Sequence, residues 1–241
     1  MDDSVKKLQA IIDKSSRIVF FGGAGVSTES GIPDFRSVDG LYHQKFNYPP
    51  ETILSYSFYK SHKSEFFDFY RSKILHLEAM PNEAHKKLAQ LEKAGRLTAV
   101  VTQNIDGLHQ KAGSIRVIEL HGSVHRNLCG NCGCMYEAQF MQESTGIPQC
   151  TCGGDIKPDV VLYEENLNHG VLEEAVKVLS QADTLIIGGT SLAVYPAAGL
   201  VDYFKGSNLV IINRGELKRA RQVEGLFIDG SIGEVMGRLT V

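Results

Sequence analysis

The stretch Ile18-Val19-Phe20-Phe21-Gly22-Gly23-Ala24-Gly25-Val26-Ser27-Thr28-Glu29-Ser30-Gly31-Ile32-Pro33-Asp34-Phe35-Arg36 decides the fold. Its four opening apolar residues read as a buried strand, which breaks at once into glycines and then into Ser/Thr residues suited to capping. Strand, glycine turn and helix start is how a doubly wound α/β sheet meets a dinucleotide. Glycines let the backbone approach the pyrophosphate, and the amides of the helix start supply positive potential. The run lacks the third glycine of G-x-G-x-x-G, so alone it also fits a plain chain reversal. Its tail, Ile32-Pro33-Asp34-Phe35-Arg36, has no place in a generic dinucleotide turn.

Working outward, further short β-branched runs occur at Thr98–Thr102, Arg116–Leu120, Thr184–Gly188, Leu209–Ile212 and Leu226–Ile228. They are apolar throughout rather than alternating, as parallel strands covered on both faces are. Helical patterns at Glu83–Lys93 and Gly170–Ser180 lie between them, so the chain reads as a doubly wound parallel, Rossmann-like sheet. Two stretches interrupt the rhythm. Residues 37–81 are aromatic and polar, with helical spacing around Ser57–Leu77, and 127–157 hold all five cysteines. The expected division is a Rossmann-like nucleotide-binding domain of residues 1–36, 82–126 and 158–241, and a smaller lobe of a helical module, 37–81, and a cysteine-rich module, 127–157.

Bulk properties narrow the classes. At 241 residues the chain suffices for one sizeable core with a smaller appendage. A net charge of −3 gives no electrostatic footprint for nucleic acid. No stretch approaches the ~20 apolar residues that span a bilayer. The first residues are charged and amphipathic, with Val5, Leu8, Ile11 and Ile12 on one helical face, unlike a secretory leader. A cytoplasmic address, with reduced thiols, is expected.

Reduced thiols bear on the cysteines. Cys129-x-x-Cys132, 17 intervening residues and Cys150-x-Cys152 approach the two-pair spacing of a zinc ribbon, in which tight turns place thiolates on one side of a metal. Disulfides do not suit the compartment, and buried free cysteines seldom crowd together. Cys134 is spare, which leaves Cys132/Cys134 as an alternative pair. Four thiolates close the coordination sphere, so the metal is expected to be structural.

Four polar turns follow strands: Asp34-Phe35-Arg36, Gln103-Asn104-Ile105-Asp106, His121-Gly122-Ser123 and Gly189-Thr190-Ser191. In an open α/β sheet, ligands bind outside the carboxyl ends of the strands, so all four point to one cleft. Each has a plainer reading beside it. Asn104, Asp106 and Thr190-Ser191 also suit helix caps, and His121 also suits a satisfied turn. His85 and His109, without comparable context, default to surface or core.

Together these motifs resemble the sirtuins, NAD-dependent protein lysine deacylases, over nearly the whole chain. The glycine run with its Asp34-Phe35-Arg36 tail is similar to the family's G-A-G-x-S-x-x-S-G-I-P-D-F-R signature. Thr102–Asp106 resembles T-Q-N-I-D, and Leu120-His121-Gly122 the catalytic-histidine motif. Gly189–Ala197 resembles G-T-S-L-x-V-x-P-A, and Lys157–Glu165 the segment that pairs with substrate peptide.

The resemblance implies that NAD is consumed as a cosubstrate and that acetyl-lysine proteins are the partners. Ala24, Thr28, Gln103, Thr190, Ser191 and Asn213 would hold phosphates and riboses, with Ile232 near the adenine. Phe35 would cover the nicotinamide and Arg36 contact phosphate. Ile105 and Asp106 would face the carboxamide, and Asn104 position ribose hydroxyls or a water. His121 would serve as general base on a ribose hydroxyl after the acetyl oxygen attacks C1′, giving deacetylated lysine, nicotinamide and O-acetyl-ADP-ribose. Backbone of Val160, Val161 and Leu162 would receive the peptide as an added strand. Cys129, Cys132, Cys150 and Cys152 would hold one zinc ion. Nicotinamide is expected to inhibit; no direct nucleic-acid or membrane partner is expected.

Sirtuins that favour succinyl or malonyl groups carry a Tyr-x-x-Arg pair, which this chain lacks; its adjacent Tyr70-Arg71 diverge on a helix. An apolar acyl pocket is expected. Mono-ADP-ribosyl transfer shares every NAD residue, but His121 and the peptide segment favour deacylation. A non-catalytic NAD or ADP-ribose sensor needs neither Asn104 nor His121. A dehydrogenase lacks its acidic residue after the second strand, and a nucleic-acid ribbon lacks Lys or Arg between Cys129 and Cys152.

Overall fold

Apolar strands that must be covered on both faces form the centre of the molecule. The structure, a computed structural model, describes residues 3–35, 40–41, 45–214 and 225–241. In chain order the elements are α1 (Asp3–Lys14), β1 (Ile18–Gly22), α2 (Pro50–Ile53), α3 (Tyr56–Ser61), α4 (Lys63–Phe69), α5 (Glu83–Lys93), β2 (Leu97–Thr102), α6 (Leu108–Lys111) and β3 (Val117–Glu119). There follow β4 (Gly122–Cys129), β5 (Met135–Tyr136), α7 (Ala138–Glu143), β6 (Ile156–Val160), α8 (His169–Gln181), β7 (Thr184–Gly188), β8 (Asn208–Asn213), β9 (Leu226–Asp229) and α9 (Ile232–Gly237). Short 3-10 turns at Ala24–Val26 and Thr28–Ser30 replace a long helix after the glycine run.

Six parallel strands lie in the order β3-β2-β1-β7-β8-β9. Renumbered within that sheet the order is 3-2-1-4-5-6, the doubly wound topology, and the strand order reverses between β1 and β7. Successive strand residues alternate between two cores. Phe20, Val100, Ile186 and Ile212 pack with Leu8 and Ile12 of α1, Leu88 and Leu91 of α5 and Met236 of α9. Phe21, Val101, Leu185 and Ile187 pack with Ala175, Val178 and Leu179 of α8 and with Ala197, Ala198 and Leu200. Helix α5 begins where a capping box dictates: Asn82 Oδ1 accepts from the Ala84 amide at 3.0 Å, and the Asn82 amide donates to His85 Nδ1 at 3.3 Å.

A second sheet, β5-β4-β6, is antiparallel. It shares a third core with the helical segment: Phe58, Phe66, Phe67 and Tyr70 meet Val124, Met141, Ile156 and Val160. Its strands start and end inside the polar turns, since β4 begins at Gly122, beside His121, and β6 ends at Val160. The helical spacing read at Ser57–Leu77 resolves into two pieces. His62, with φ −134°, interrupts it, and after α4 the chain closes as a π-helical turn at Tyr70–Ile74.

His85 and His109 belong to the core, with ring centroids 4.7 Å apart and His109 also against Phe20. His85 Nε2 and both nitrogens of His109 are buried without a hydrogen-bond partner. Burial lowers the His85 pKa to about 4 against a weaker opposing pull from Asp106, and burial and then His85 push that of His109 down. Both rings are therefore neutral in the folded chain. Below pH 6.5 the unfolded chain binds protons that the folded one refuses, so stability falls as pH drops from 6.5 toward 4. Thermal unfolding should show a Tm several degrees lower at pH 5 than at pH 7.5. His109→Leu should keep or raise the Tm at pH 7.5, since it removes two unsatisfied polar atoms, and should shrink the acid loss. An acid loss equal to that of the native chain would clear the histidine pair.

Candidate active site

The glycine turn after β1 and the turn after β7 meet at the switch point. Gly25 N donates to Gly189 O at 2.8 Å, and a Cβ on Gly189, at φ +57°, would lie 2.3 Å from Val26 N. Nothing larger than glycine fits, so the floor of the cleft is main chain. Thr190, 8% exposed, stands beside it. Its hydroxyl accepts from Gln103 Nε2 at 3.1 Å and from the Leu192 amide at 3.1 Å, so it is both a turn residue and a wall of the cleft. Gln103 N also donates to Gly22 O at 3.0 Å, tying the β2 turn to the end of β1. Thr28 Oγ1 donates to Gly25 O at 3.0 Å, bracing the glycine turn, and Ala24 opens its 3-10 segment.

The β2 turn carries a second polar group set. Asp106 Oδ1 accepts from the Leu108 amide at 2.9 Å, a turn bond just before α6, whose cap position is Gly107, and Oδ2 accepts from the Ser27 hydroxyl at 2.6 Å. Asn104 Nδ2 donates to that same Ser27 oxygen at 3.1 Å. Ser27, 1% exposed, thus fastens Asn104 and Asp106 to the glycine turn. Sequence reading passed over it, although a serine two residues after the last glycine was the available signal. Asn82 was passed over too: its Nδ2 donates to Val26 O at 2.8 Å and to Ser30 Oγ at 3.0 Å, holding the same turn from α5. Ile105 and Phe35 are half-buried against the third core, at the seam between the two sheets.

His121 sits between them. Its Nδ1 lies 3.0 Å from the carbonyl of Gln103. A carbonyl only accepts, so Nδ1 carries the proton and Nε2 keeps its lone pair. Burial lowers the His121 pKa below the ordinary 6.5 against the opposing Gln103 carbonyl, which leaves the ring neutral at pH 7. The turn is squeezed onto β6: His121 O accepts from Val161 N at 3.0 Å, and a Cβ on Gly122 would fall 1.9 Å from Asp159 O. Val160 and Leu162 turn their side chains into the third core, so this segment meets the cleft through main chain and Val161.

Four other expected residues fall elsewhere or out of view. Asn213 ends β8, its Nδ2 donating to Arg214 O at 3.2 Å, and Ser191 is exposed beside Thr190. Ile232 is 3% exposed and packs its side chain against Gly188 and the sheet, while the next amide, Gly233 N, donates to Glu29 Oε2 at 2.7 Å. Arg36 lies outside the described residues.

Cys129, Cys132, Cys150 and Cys152 bring their sulfurs within 4.8 Å of one another, and the closest contacts are 3.5 Å. A tetrahedron of 2.3 Å zinc–sulfur bonds has edges of about 3.8 Å, so the quartet fits zinc and no pair is a disulfide. Cys134 stands apart; its carbonyl, not its thiol, is used, accepting from Cys129 N at 2.9 Å. The geometry thus groups Cys132 with Cys129, Cys150 and Cys152 and leaves Cys134 out of the group. Four thiolates would fill the coordination sphere of a metal here, with Cys129 and Cys150 buried and Cys132 and Cys152 at the surface.

The sequence model of the Sir2 family matches residues 23–196. The chain is 56% identical to an NAD-dependent protein deacetylase of Clostridium perfringens, covering 99% of each, and 55% identical to one of Clostridium acetobutylicum, covering 97% of each. A solved Sir2 structure with a deacetylated p53 peptide and 3′-O-acetyl-ADP-ribose superimposes with a TM-score of 0.88 at 38% identity, covering 96% of this chain and 95% of that one. Another, with p53 peptide and NAD, gives 0.85 at 38% identity over 99% and 97%.

The metal reading has a direct check. Purified protein should contain one zinc per chain, and Cys134→Ser should retain it. Cys132→Ser should lose it together with the cooperative unfolding of the β5-β4-β6 lobe, because structural zinc supplies folding free energy. Zinc lost from Cys134→Ser and kept in Cys132→Ser would reverse the assignment.

Proposed function

Since the chain belongs to the Sir2 family, we propose that it is an NAD-dependent protein lysine deacetylase, transferring the acetyl group of acetyl-lysine to ADP-ribose and releasing nicotinamide. The observation that carries the reading is the neutral His121, with Nδ1 held by the Gln103 carbonyl and Nε2 left as a base, beside the Ser27-Asn104-Asp106 cluster. Binding alone has no use for an oriented base.

Each residue then has a duty set by its chemistry. Main chain at Ala24 and Gly25, with Thr28, Thr190, Ser191 and Gln103, offers donors to the phosphates and riboses, at the position where doubly wound sheets take dinucleotides. Arg36 adds a guanidinium fork for phosphate, Asn213 reaches a ribose, and Ile232 lies toward the adenine. Asp106, which only accepts, reads the carboxamide N–H donors of nicotinamide, with Ile105 and Phe35 as its apolar walls. Asn104 donates to a ribose hydroxyl or a water. His121 removes the proton of a ribose hydroxyl, which then attacks the carbon of the transferred acyl group. Because nicotinamide leaves as a neutral group from a cationic one, the residues around it mainly position and stabilise.

The peptide enters as an added strand against Val160, Val161 and Leu162, a mode that reads main chain and tolerates varied sequence. The division into an NAD-binding domain of 1–36, 82–126 and 158–241 and a lobe of 37–81 and 127–157 follows from this assignment of duties. Nicotinamide, as a product that refits its own pocket, inhibits. No described helix is long and apolar enough to cross a membrane; a reduced cysteine quartet supports the cytoplasm as the site of action. The acyl pocket is apolar: Tyr70 is 1% exposed, and Arg71 is committed to Asp68 at 2.9 Å and Gly146 O at 2.9 Å, so this pair offers no cation to an acidic acyl group.

Mass spectrometry of an acetyl-lysine peptide tests the reading. The acetyl group should be lost only when NAD is present, with O-acetyl-ADP-ribose formed in equal amount; transfer of ADP-ribose to protein with the acetyl retained would replace deacetylation by ADP-ribosylation. His121→Ala should cut turnover by about 10²-fold or more while NAD binding persists. The acid limb of kcat/KM should have its midpoint below pH 6.5, since the lowered pKa keeps the base free until then. A succinyl-lysine peptide should react at least about tenfold more slowly than the acetyl one, and equal rates would refute the apolar pocket.

A further inference from the structure

Between the catalytic turn and the substrate segment the β4–β6 ladder has a gap. Gly122 pairs with Val160, and the next pair is Asn127 with Pro158, so four residues of β4, Ser123 to Arg126, face the single residue Asp159 of β6. An insertion of this size interrupts the main-chain ladder and weakens the hold of one strand on the other. Pro158 adds to the deficit, having no amide to donate. The Gly122–Val160 pair and the bond from Val161 N to His121 O hold the spacing between His121 and Val160–Leu162 at one end only, and the ladder beyond them gives no support until Asn127.

A side chain spans the gap. Arg126 Nε donates to Asp159 Oδ2 at 2.8 Å and Nη1 donates to Glu119 Oε2 at 2.7 Å. Glu119, whose side chain is 9% exposed, uses its other oxygen to accept from Gln110 Nε2 at 2.9 Å. One planar guanidinium thus joins three strands: β3 two residues before His121, β4 after it, and β6 one residue before Val160. A lysine cannot copy this, because a fork reaches two carboxylates in fixed directions and an ammonium does not. Partial exposure of the group would make it a weak stabiliser of the fold. Its position makes it a register pin. The neighbouring residues of the same loop face the other way, with Val124 N donating to Ile105 O at 3.0 Å and His125 Nε2 3.0 Å from Asp106 O, so the nicotinamide side has ties of its own.

We propose that Arg126, through Asp159 and Glu119, is a positioning residue that sets the substrate-peptide segment Val160–Leu162 in register with His121, so that it governs use of the acyl-lysine peptide rather than of NAD. The inference rests on the deacetylase reading. Arg126 touches neither substrate nor reacting atoms, and it acts by holding the strand that the peptide joins.

Steady-state kinetics of the full chain with acetyl-lysine peptide, varying each substrate in turn, provides the test. Arg126→Met should raise the peptide KM by about tenfold or more, as ångström-scale misplacement does, while the NAD KM stays within about threefold. Arg126→Lys should recover part of the loss and Asp159→Asn should reproduce it. In the double variant the two effects should not add, because they break one interaction. Folding is followed by Tm and zinc content, and if Arg126→Met fails to fold, Asp159→Asn and Arg126→Lys carry the same comparison. An unchanged peptide KM, an equal rise in both KM values, or full additivity would overturn the inference while leaving deacetylation intact. An inactive native chain would remove the deacetylase reading and this inference with it.

Discussion

The arrangement depends on one contact between two turns, the 2.8 Å hydrogen bond from Gly25 N to Gly189 O at the point where the strand order reverses. Two backbones this close exclude side chains, and a Cβ on Gly25 would fall 2.9 Å from Gly189 Cα. What remains is a floor of amides and carbonyls on which a phosphate can rest. Neighbouring groups are arranged around that floor. Gln103 bridges it to Thr190, Ser27 bridges it to Asn104 and Asp106, and the Gln103 carbonyl orients His121. A substitution that parted the two turns would therefore disturb all three polar groups at once.

Much of this was legible in the sequence, for identifiable physical reasons. Strands buried on both faces have to be continuously apolar, so β1, β2, β7 and β8 announce themselves. Helix α5 did too, because Ala84, Leu88 and Leu91 recur at helical spacing. The cysteine quartet showed in its spacing, and Cys134 became separable only once distances were known. Strands β4 and β6 were harder. Gly-Ser-Val-His-Arg-Asn-Leu-Cys alternates imperfectly because four of its residues leave the ladder, and a pattern of period two cannot reveal an insertion. The break at His62 likewise leaves no mark on aromatic spacing. Ser27 was missed because one hydroxyl among several glycines looks like an ordinary turn residue.

The histidines show how burial sorts identical side chains. His121 has a partner for one nitrogen and keeps the other toward the cleft. His109 has none for either, and His85 uses one in a helix cap. All three are held neutral chiefly by desolvation, and among them the proposed base is the one with Nδ1 held by a carbonyl. The sequence presented them as equals apart from their neighbours. Asp106 makes the complementary point, since one oxygen of its carboxylate serves the turn into α6 and the other holds Ser27.

The zinc lobe is rooted twice. One of its strands leaves from the residue after His121 and another returns at Val160, so it joins the parallel sheet beside the proposed base and the proposed substrate segment. A change of length or curvature anywhere within it is delivered to those two roots as a change in the width of the slot between base and substrate. The glycine floor lies apart from these roots, while the ties from Val124 N to Ile105 O and from His125 Nε2 to Asp106 O carry part of such a change to the turn after β2. The slot for a protein is thus shaped by a different part of the fold from the glycine floor, and the two parts meet at the turns that carry His121 and Asp106.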